Sequence, residues 1–275
     1  MTAISLYLTP QEIARLQGRI RELGLRELPL KTPHELLRIK HRDVQLVIYT
    51  SGSIVHNGSQ ASRELIHSIL MVDTTYDFII GSDEAGKGEW WGPLVVEAVA
   101  LSPTEINALR ELGVKDSKIL KKKRLLELAE ELLKLKFKRK LLLLRPKTYN
   151  EQYSEFKKEG KSLNDLLAWG HARVIKDVLQ SLSYQQVKIV IDKFDIQKTD
   201  FRLKTIASPS IRILQKTRGE SEISVAAASI LAKYIFEIEV DKLDRKYQLD
   251  LRNSSPSDIP PSILPLVAKL HFKNV

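Results

Sequence analysis

Two adjacent carboxylates, Asp83 and Glu84, lie inside the glycine-rich stretch GSDEAGKGEWWG at residues 81–92. The stretch begins like a phosphate-binding P-loop, Gly-x-x-x-x-Gly-Lys, but Gly88 stands where the Ser or Thr that reaches Mg²⁺ is required. Two carboxylates within such a loop would also repel a triphosphate. The dinucleotide pattern Gly-x-Gly-x-x-Gly fails as well, because Gly92 comes one residue too late. The sequence therefore argues against a nucleotide-binding loop.

The acids stand at the ends of two apolar segments that we interpret as strands. Asp83 and Glu84 follow the segment DFIIGS, and Asp192 ends the segment VKIVID. Functional residues of open α/β sheets gather beyond the carboxyl ends of strands, so these carboxylates would converge if the two strands are neighbours. Hard oxygen ligands of this kind suit Mg²⁺ or Mn²⁺. The alternative is that the acids are solvated strand caps.

The overall charge indicates a polyanionic partner. The formal net charge is +10 over 275 residues, and nucleic acid is the commonest partner of such a protein. Basic residues cluster in two runs, at 115–124 and 134–140. Two such runs in succession favour a phosphate-facing surface over a solvated helix face.

We expect a cytoplasmic protein that does not enter a membrane. No apolar run reaches the roughly 20 residues that a membrane span needs. The N-terminus lacks the basic region and the long apolar core of a secretory signal. The chain has no cysteine, which excludes disulfides and thiolate metal sites and fits a cytosolic location.

Hydrophobic periodicity divides the chain into two units. Residues 1–72 start with an amphipathic helix, for which TPQE provides Thr9 as N-cap and Glu12 as the capping-box acid. Short alternating strands and a second helix follow, which predicts a small α+β domain with a three- or four-stranded antiparallel sheet. Residues 73–275 contain five strand-like segments and several helices, including SPTEINALRELGV. This pattern predicts an α/β fold with a mixed sheet flanked by helices.

Several ordered sequence blocks resemble the type 2 ribonucleases H, and among them most closely the ribonucleases HIII. The blocks are GSDEAGKGEWWGPLVVEAVAL, LGVKDSKIL, IVIDKF, SVAAASILAKY and KLHF, and together they span roughly residues 78–273. The resemblance implies a ribonuclease H-like mixed sheet. It also explains the extra N-terminal unit, because ribonucleases HIII carry a small substrate-gripping domain that resembles the TATA-binding protein.

The resemblance implies an endonuclease that hydrolyses the RNA strand of RNA/DNA hybrids and leaves 5′-phosphate ends. Such enzymes use two divalent cations, Mg²⁺ or Mn²⁺, and we expect this one to act as a monomer. The motifs place the first two catalytic and metal-binding acids at Asp83 and Glu84 and the third at Asp192. The fourth falls at Glu220 or Glu222, shortly before the AAAS helix, and the spacing favours Glu220; Asp195 is a weaker candidate.

The resemblance also implies the substrate-binding residues. The backbone amides of Ala85, Gly86, Lys87 and Gly88 would contact the 2′-hydroxyl that distinguishes RNA from DNA. Lys87, Ser117 and Lys118 would hold phosphates. In the small domain the basic and aromatic residues expected on strands that face the minor groove are Arg38, Lys40, Arg42 and Tyr49. The alternative is that this domain only stabilises the fold.

Two features depart from the family pattern. Lys87 stands where relatives often have Thr or Arg, and a Gly-Pro-His motif is missing before KLHF, so no histidine there receives a role. His171 lies in an apolar helix and is interpreted as a packed core residue. Two other functions stay open: an enzyme like ribonuclease HII that nicks at single ribonucleotides embedded in DNA, and a non-catalytic hybrid-binding protein. A pure binder would gain nothing from carboxylates that face phosphate.

Overall fold

The computed structural model describes residues 4–70, 75–114, 120–192, 195–216, 219 and 222–275. The chain divides into two compact units, Met1–Thr74 with Pro103–Lys115 and Thr75–Ser102 with Asp116–Val275. In the smaller unit the described elements are β1 (Ile4–Tyr7), α1 (Pro10–Glu22), β2 (Glu35–His41), β3 (Val44–Tyr49), β4 (Ser53–His56), α2 (Gln60–His67) and α3 (Pro103–Glu111).

The smaller unit is built on a four-stranded antiparallel sheet with the strand order β1-β4-β3-β2. Its core joins the sheet to α1 and α2 through buried residues such as Leu16, Ile20 and Ile66. The capping box expected at TPQE is confirmed: the Glu12 amide donates to Thr9 Oγ1 at 3.2 Å, and the Thr9 amide donates to Glu12 Oε2 at 2.9 Å. The sequence therefore located the start of α1 correctly.

Helix α3 differs from the sequence-based division, which placed residues 103–111 in the larger unit. The Arg110 guanidinium pairs with the buried Glu12 carboxylate of α1 at 2.8 Å. Nε2 of His67 in α2 lies 2.7 Å from Oε1 of Glu111. These two pairs tie α3 to the smaller unit although it follows β6 in sequence, and periodicity within α3 could not reveal its partners.

The larger unit contains the elements β5 (Phe78–Ala85), β6 (Leu94–Leu101), α4 (Lys122–Lys134), β7 (Lys138–Leu144), α5 (Pro146–Lys158), α6 (Leu163–Leu179), β8 (Val187–Asp192), α7 (Ile196–Leu203), β9 (Ile211–Lys216), α8 (Ile223–Tyr247) and α9 (Leu264–Val267). Its five-stranded sheet has the order β7-β6-β5-β8-β9. Strand β5 is antiparallel to β6 and parallel to β8. The predicted mixed sheet is confirmed, whereas α5 and α7 were not predicted.

Helices cover both faces of the larger sheet. Val96 packs in the core that contains residues of α6, and its neighbour Val95 packs on the opposite face with α8. At Gly81 the two layers come so close that a Cβ atom would lie 2.1 Å from the Val225 amide nitrogen of α8. Glycine is therefore needed at position 81 for the start of α8 to lie directly on the central strand.

Among the described residues, no helix is both long enough and apolar enough to cross a membrane.

Candidate active site

The two strands that carry the sequence-predicted acids are neighbours. Strands β5 and β8 run in parallel, and Ser82 pairs with Ile191. Asp83 and Asp192 follow these residues directly, so the two carboxylates leave adjacent strands at the same edge of the sheet. The sequence predicted that the carboxylates converge if their strands are neighbours, and the strands are neighbours.

One pocket at this edge collects most of the sequence-predicted residues of the larger unit. The residues that line it are Asp83, Glu84, Ala85, Gly86, Lys87, Gly88, Glu89, Asp192, Ser229, Lys233 and Phe236. β5 passes through a turn into the antiparallel strand β6, not into a helix. A P-loop requires a helix at that point, so the structure independently excludes the nucleotide-cradle interpretation.

The adjacent acids Asp83 and Glu84 have opposite electrostatic environments. Burial and the nearby Glu84 charge raise the pKa of Asp83 to about 7, while a hydrogen bond from Ser229 opposes the shift. Burial alone would also raise the pKa of Glu84, but hydrogen bonds and charges from His171 and Lys87 outweigh it and lower that pKa. The Lys87 ammonium lies 3.4 Å from Glu84 Oε1. Two partly buried carboxyl groups side by side make a site that a cation would stabilise.

His171 has a part in the site that its sequence context did not reveal. The side chain is buried, as expected, but its Nε2 lies 3.1 Å from Glu84 Oε2 and its Nδ1 lies 2.8 Å from Ser82 Oγ. The Glu84 carboxylate can only accept, so the ring donates from Nε2. Interpreting His171 as packed core was therefore incomplete, because it also orients Glu84. No spacing signal links α6 to β5, so the sequence could not show this contact.

Asp192 is held by the segment that precedes α8. Its Oδ1 accepts a hydrogen bond from the Gly219 amide at 3.1 Å. Glu220, the favoured fourth acid, lies outside the described residues. The alternative, Glu222, forms ion pairs with Lys216 at 3.0 Å and Lys188 at 4.0 Å. The Glu222 carboxylate is therefore paired with lysine side chains in this structure.

The donor set of the pocket fits a hard divalent cation. Asp83, Glu84 and Asp192 supply carboxylate oxygens, the ligands that Mg²⁺ and Mn²⁺ prefer. Within the described residues, which omit 220, no three acids or histidines form a complete metal-binding group. Glu84 is drawn toward His171, and Asp192 is drawn toward Gly219. The pocket thus fits a divalent cation by the type of its donor atoms, the carboxylate oxygens of Asp83, Glu84 and Asp192.

The two glycines that flank Lys87 differ structurally. Gly86 has φ +86°, and a Cβ atom there would lie 2.1 Å from the Pro93 carbonyl oxygen. Gly88 has no atom within 4 Å of the position that a Cβ would occupy. The fold itself therefore requires glycine at 86, whereas the space at 88 is open to the pocket. Trp91 packs on Phe236 with ring centroids 5.3 Å apart, so this tryptophan supports the turn from the core side.

Helix α8 contributes Ser229, Lys233 and Phe236 to the pocket, and none of these was predicted as a site residue. They recur at positions i, i+4 and i+7, so they share one helix face. A polar and basic stripe on a helix that starts with small residues could have pointed to them. Lys233 adds an exposed cation to the pocket rim.

The remaining predicted substrate-binding residues lie elsewhere. Ser117 and Lys118 fall outside the described residues. Arg38 and Lys40 alternate along β2 with buried residues, but Arg38 is held by Glu35 through contacts of 2.5 and 3.0 Å. Lys40 is exposed. Arg42 was expected on a strand but occupies the β2–β3 turn with φ 49°.

A buried glutamate on β6 lies beside Asp83 in the sheet. Glu97 pairs across the ladder with Asp83, is fully buried, and contacts Arg139 at 3.0 Å through Oε1. Its Oε2 has no hydrogen-bond partner among the described residues. Burial raises the pKa of Glu97 to about 7, although Arg139 opposes the shift.

We predict a pH-dependent stability effect from Glu97. Its folded-state pKa exceeds its ordinary value, so the native state holds this proton more tightly than the unfolded chain does. That stabilisation is present below about pH 4.5 and is lost as the pH rises through about 7. The amount is about 3 kcal/mol. Glu97→Gln should therefore raise the melting temperature of the metal-free protein more at pH 8.5 than at pH 5. An equal change in melting temperature at the two pH values would contradict a raised pKa of Glu97.

Comparison with known proteins assigns the chain to a family. The model of the family described as Ribonuclease HII matches residues 80–263. A ribonuclease HIII of Protochlamydia amoebophila is 28% identical over 94% of this chain and 87% of its own length. One from Chlamydia pneumoniae is 31% identical over 86% of each chain. The solved structure of Bst-RNase HIII in complex with Mn²⁺ superposes with a TM-score of 0.63 at 23% identity, covering 99% of this chain and 96% of the other.

The chain belongs to the ribonuclease HII family, the type 2 ribonucleases H, and within it to the ribonucleases HIII. It is accordingly a ribonuclease H, an endonuclease that hydrolyses phosphodiester bonds, and enzymes of this family are metal-dependent. The resemblance stated from the sequence is confirmed.

Proposed function

We propose that this protein cleaves the RNA strand of RNA/DNA hybrids at internal phosphodiester bonds and leaves 5′-phosphate ends. Asp83, Glu84, Asp192 and Glu220 would hold two divalent cations, Mg²⁺ or Mn²⁺. The observation that carries the proposal is the pocket in which the first three of these acids meet the glycine turn. Divalent cations bound there would activate a water molecule and stabilise the leaving oxygen.

The turn after β5 is proposed to recognise the ribose. The backbone at Ala85, Gly86, Lys87 and Gly88 lines the pocket beside the acids. The open space at Gly88 would let a sugar approach the backbone amides directly. An amide that contacts the 2′-hydroxyl would favour RNA over DNA at the cleaved position.

Basic residues around the pocket are proposed to hold phosphates. Lys87 and Lys233 line the pocket itself. Ser117 and Lys118 keep the phosphate-binding role that their motif implies. These contacts position the strand without reading its sequence.

The smaller unit is proposed to increase affinity for the duplex. Lys40 is the exposed cation of β2, whereas the Arg38 guanidinium must share its charge with Glu35. Lys40 should therefore contribute more to hybrid binding than Arg38. The likeness of this unit to the TATA-binding protein, the cytoplasmic location and the monomeric state stay predictions.

We propose that the protein prefers long hybrids to single embedded ribonucleotides, as a ribonuclease HIII would, rather than acting like ribonuclease HII. The supporting observation is that ribonucleases HIII match this chain over 94% of its length, which includes the smaller unit. A non-catalytic binder is disfavoured because the carboxylates face the pocket that phosphate would enter.

The test compares three duplexes of equal length: an RNA/DNA hybrid, DNA with one embedded ribonucleotide, and DNA alone. We expect rapid cleavage of the hybrid, cleavage at least about tenfold slower at the single ribonucleotide, and no cleavage of DNA, measured with purified protein in Mg²⁺ or Mn²⁺. Efficient cutting at the single ribonucleotide would shift the assignment to activity like that of ribonuclease HII.

A further inference from the structure

The C-terminal segment lies directly behind the turn that lines the pocket. Lys269 is fully buried, and its ammonium group donates to the carbonyl oxygens of Glu89, Trp91 and Gly92 at 2.9, 2.8 and 2.8 Å. An ammonium group has three N–H donors, so each donor has its own acceptor. Burial lowers the pKa of Lys269 to about 7, and only the ammonium form can donate to all three carbonyls at once.

The backbone of Lys269 binds the one carbonyl between residues 89 and 92 that its ammonium group does not reach. The Lys269 amide donates to the Trp90 carbonyl oxygen at 2.7 Å, so this one residue binds four consecutive carbonyls, at residues 89–92. The Gly92 amide in turn donates to the Val267 carbonyl oxygen at 2.9 Å. The carbonyls of the turn are thus satisfied from behind by a segment far away in sequence.

The C-terminal segment is itself anchored to α5. The Asn150 amide group donates to the carbonyl oxygens of Pro265 and Ala268 at 3.2 and 2.9 Å. Its Oδ1 accepts from the Leu270 amide at 2.9 Å. Asn150 therefore holds the chain on both sides of Lys269, and a continuous set of hydrogen bonds leads from α5 to the pocket turn.

Residues 86–89 of the same turn line the pocket. We infer that Lys269 is a positioning residue for the cleavage reaction: without touching the substrate, it fixes the turn at the distance from the acids that the ribose requires. This inference rests on the proposed function, because it takes the turn to be the ribose-binding element.

Loss of the Lys269 ammonium group is expected to disturb the turn locally and not the whole fold. Removing the ammonium group would leave the three carbonyl oxygens without this donor, and unpaired buried polar groups are energetically costly. The turn can relieve that cost by moving, whereas the sheet core keeps its packing. A displacement of about 1 Å at a reacting site can lower a rate by about a hundredfold.

The test uses the full-length chain with Lys269→Met, which keeps an unbranched side chain of similar size but removes its charge and its N–H donors. The matched control is Lys242→Met, since Lys242 is an exposed lysine of α8 that pairs with Glu239 at 2.7 Å. For each protein we would measure the melting temperature, hybrid affinity in EDTA, and the single-turnover cleavage rate at saturating hybrid in Mg²⁺.

We expect Lys269→Met to bind hybrid within about threefold of the wild type but to cleave it about ten- to a hundredfold more slowly. Amide hydrogen exchange should rise at residues 86–92 and stay unchanged in the sheet. Lys242→Met should behave like the wild type. A cleavage rate within twofold of the wild type, even with a lowered melting temperature, would overturn the positioning role.

A second variant keeps the inference testable if Lys269→Met does not fold. Asn150→Ala loosens the same segment but leaves Lys269 in place, so it should produce a smaller loss of cleavage rate with unchanged affinity. A cleavage rate of Asn150→Ala equal to that of the wild type would then overturn the inference. If the wild-type protein itself cleaves no hybrid, the proposed function fails, which is a separate result.

Discussion

Replacing Asp83 with Asn is expected to abolish cleavage of an RNA/DNA hybrid while leaving hybrid binding intact. Asp83 lies near the end of the central strand β5, lines the pocket, and is partly buried beside a second carboxyl group. Asn keeps its shape but cannot supply a carboxylate to a divalent cation. We expect cleavage in Mg²⁺ to fall about a thousandfold or more, equivalent to about 4 kcal/mol of transition-state stabilisation.

The matched control for this change is Asp177→Asn. Asp177 pairs with Arg173 on α6 at 3.0 Å, so the same chemical change is made away from the pocket. Its cleavage rate should equal that of the wild type. Affinity of Asp83→Asn for hybrid, measured in EDTA, should stay the same or rise slightly because one negative charge has left the phosphate-binding pocket. Cleavage retained by Asp83→Asn in both Mg²⁺ and Mn²⁺ would remove Asp83 from the catalytic site.

The second large effect concerns the two glycines of the turn. Gly86→Ala places a Cβ atom 2.1 Å from the Pro93 carbonyl oxygen at a residue with φ +86°. We expect the free energy of unfolding to fall by about 2 to 4 kcal/mol, with loss of cleavage as a consequence of the displaced turn. Thermal unfolding checks the stability effect.

Gly88→Ala is the functional counterpart, because the added methyl group meets no protein atom within 4 Å. Its melting temperature should match that of the wild type, but cleavage of hybrid should fall by about tenfold or more as the methyl group fills the approach to the turn. A wild-type cleavage rate for Gly88→Ala would show that no ribose comes close to this backbone position.

The placement of the acids could be predicted from the sequence because it depends on local features. Apolar segments that end in Asp83 and Asp192 are typical of buried strands, and parallel neighbours bring their ends together. The prediction needed no knowledge of any side-chain contact. It depended only on the strands being adjacent.

The contacts that tune the site could not be predicted in this way. His171 reaches Glu84 from α6, and Lys269 reaches the pocket turn from the C-terminal segment, and neither contact leaves a spacing signal. Gly86 and Gly88 look equivalent in sequence, yet only the packing of Phe236 and Pro93 shows that one serves the fold and the other faces open space.

The missed elements have a related cause. Helix α5, with the sequence PKTYNEQYSEFKK, is largely polar and buries only Pro146, Tyr149 and Phe156. Too few apolar positions recur for hydrophobic periodicity to identify it securely. Helix α7 is short, with eight residues, and has the same weakness. Helix α3 was identified, but its partners Glu12 and His67 lie 98 and 44 residues earlier in the chain.

The most direct test of the account is cleavage of an RNA/DNA hybrid by the wild-type protein, with each strand end-labelled in turn and with either Mg²⁺, Mn²⁺ or EDTA present. We predict internal cuts in the RNA strand only, with 5′-phosphate ends, and none in EDTA. Cleavage that persists in EDTA, or cuts in the DNA strand, would contradict it.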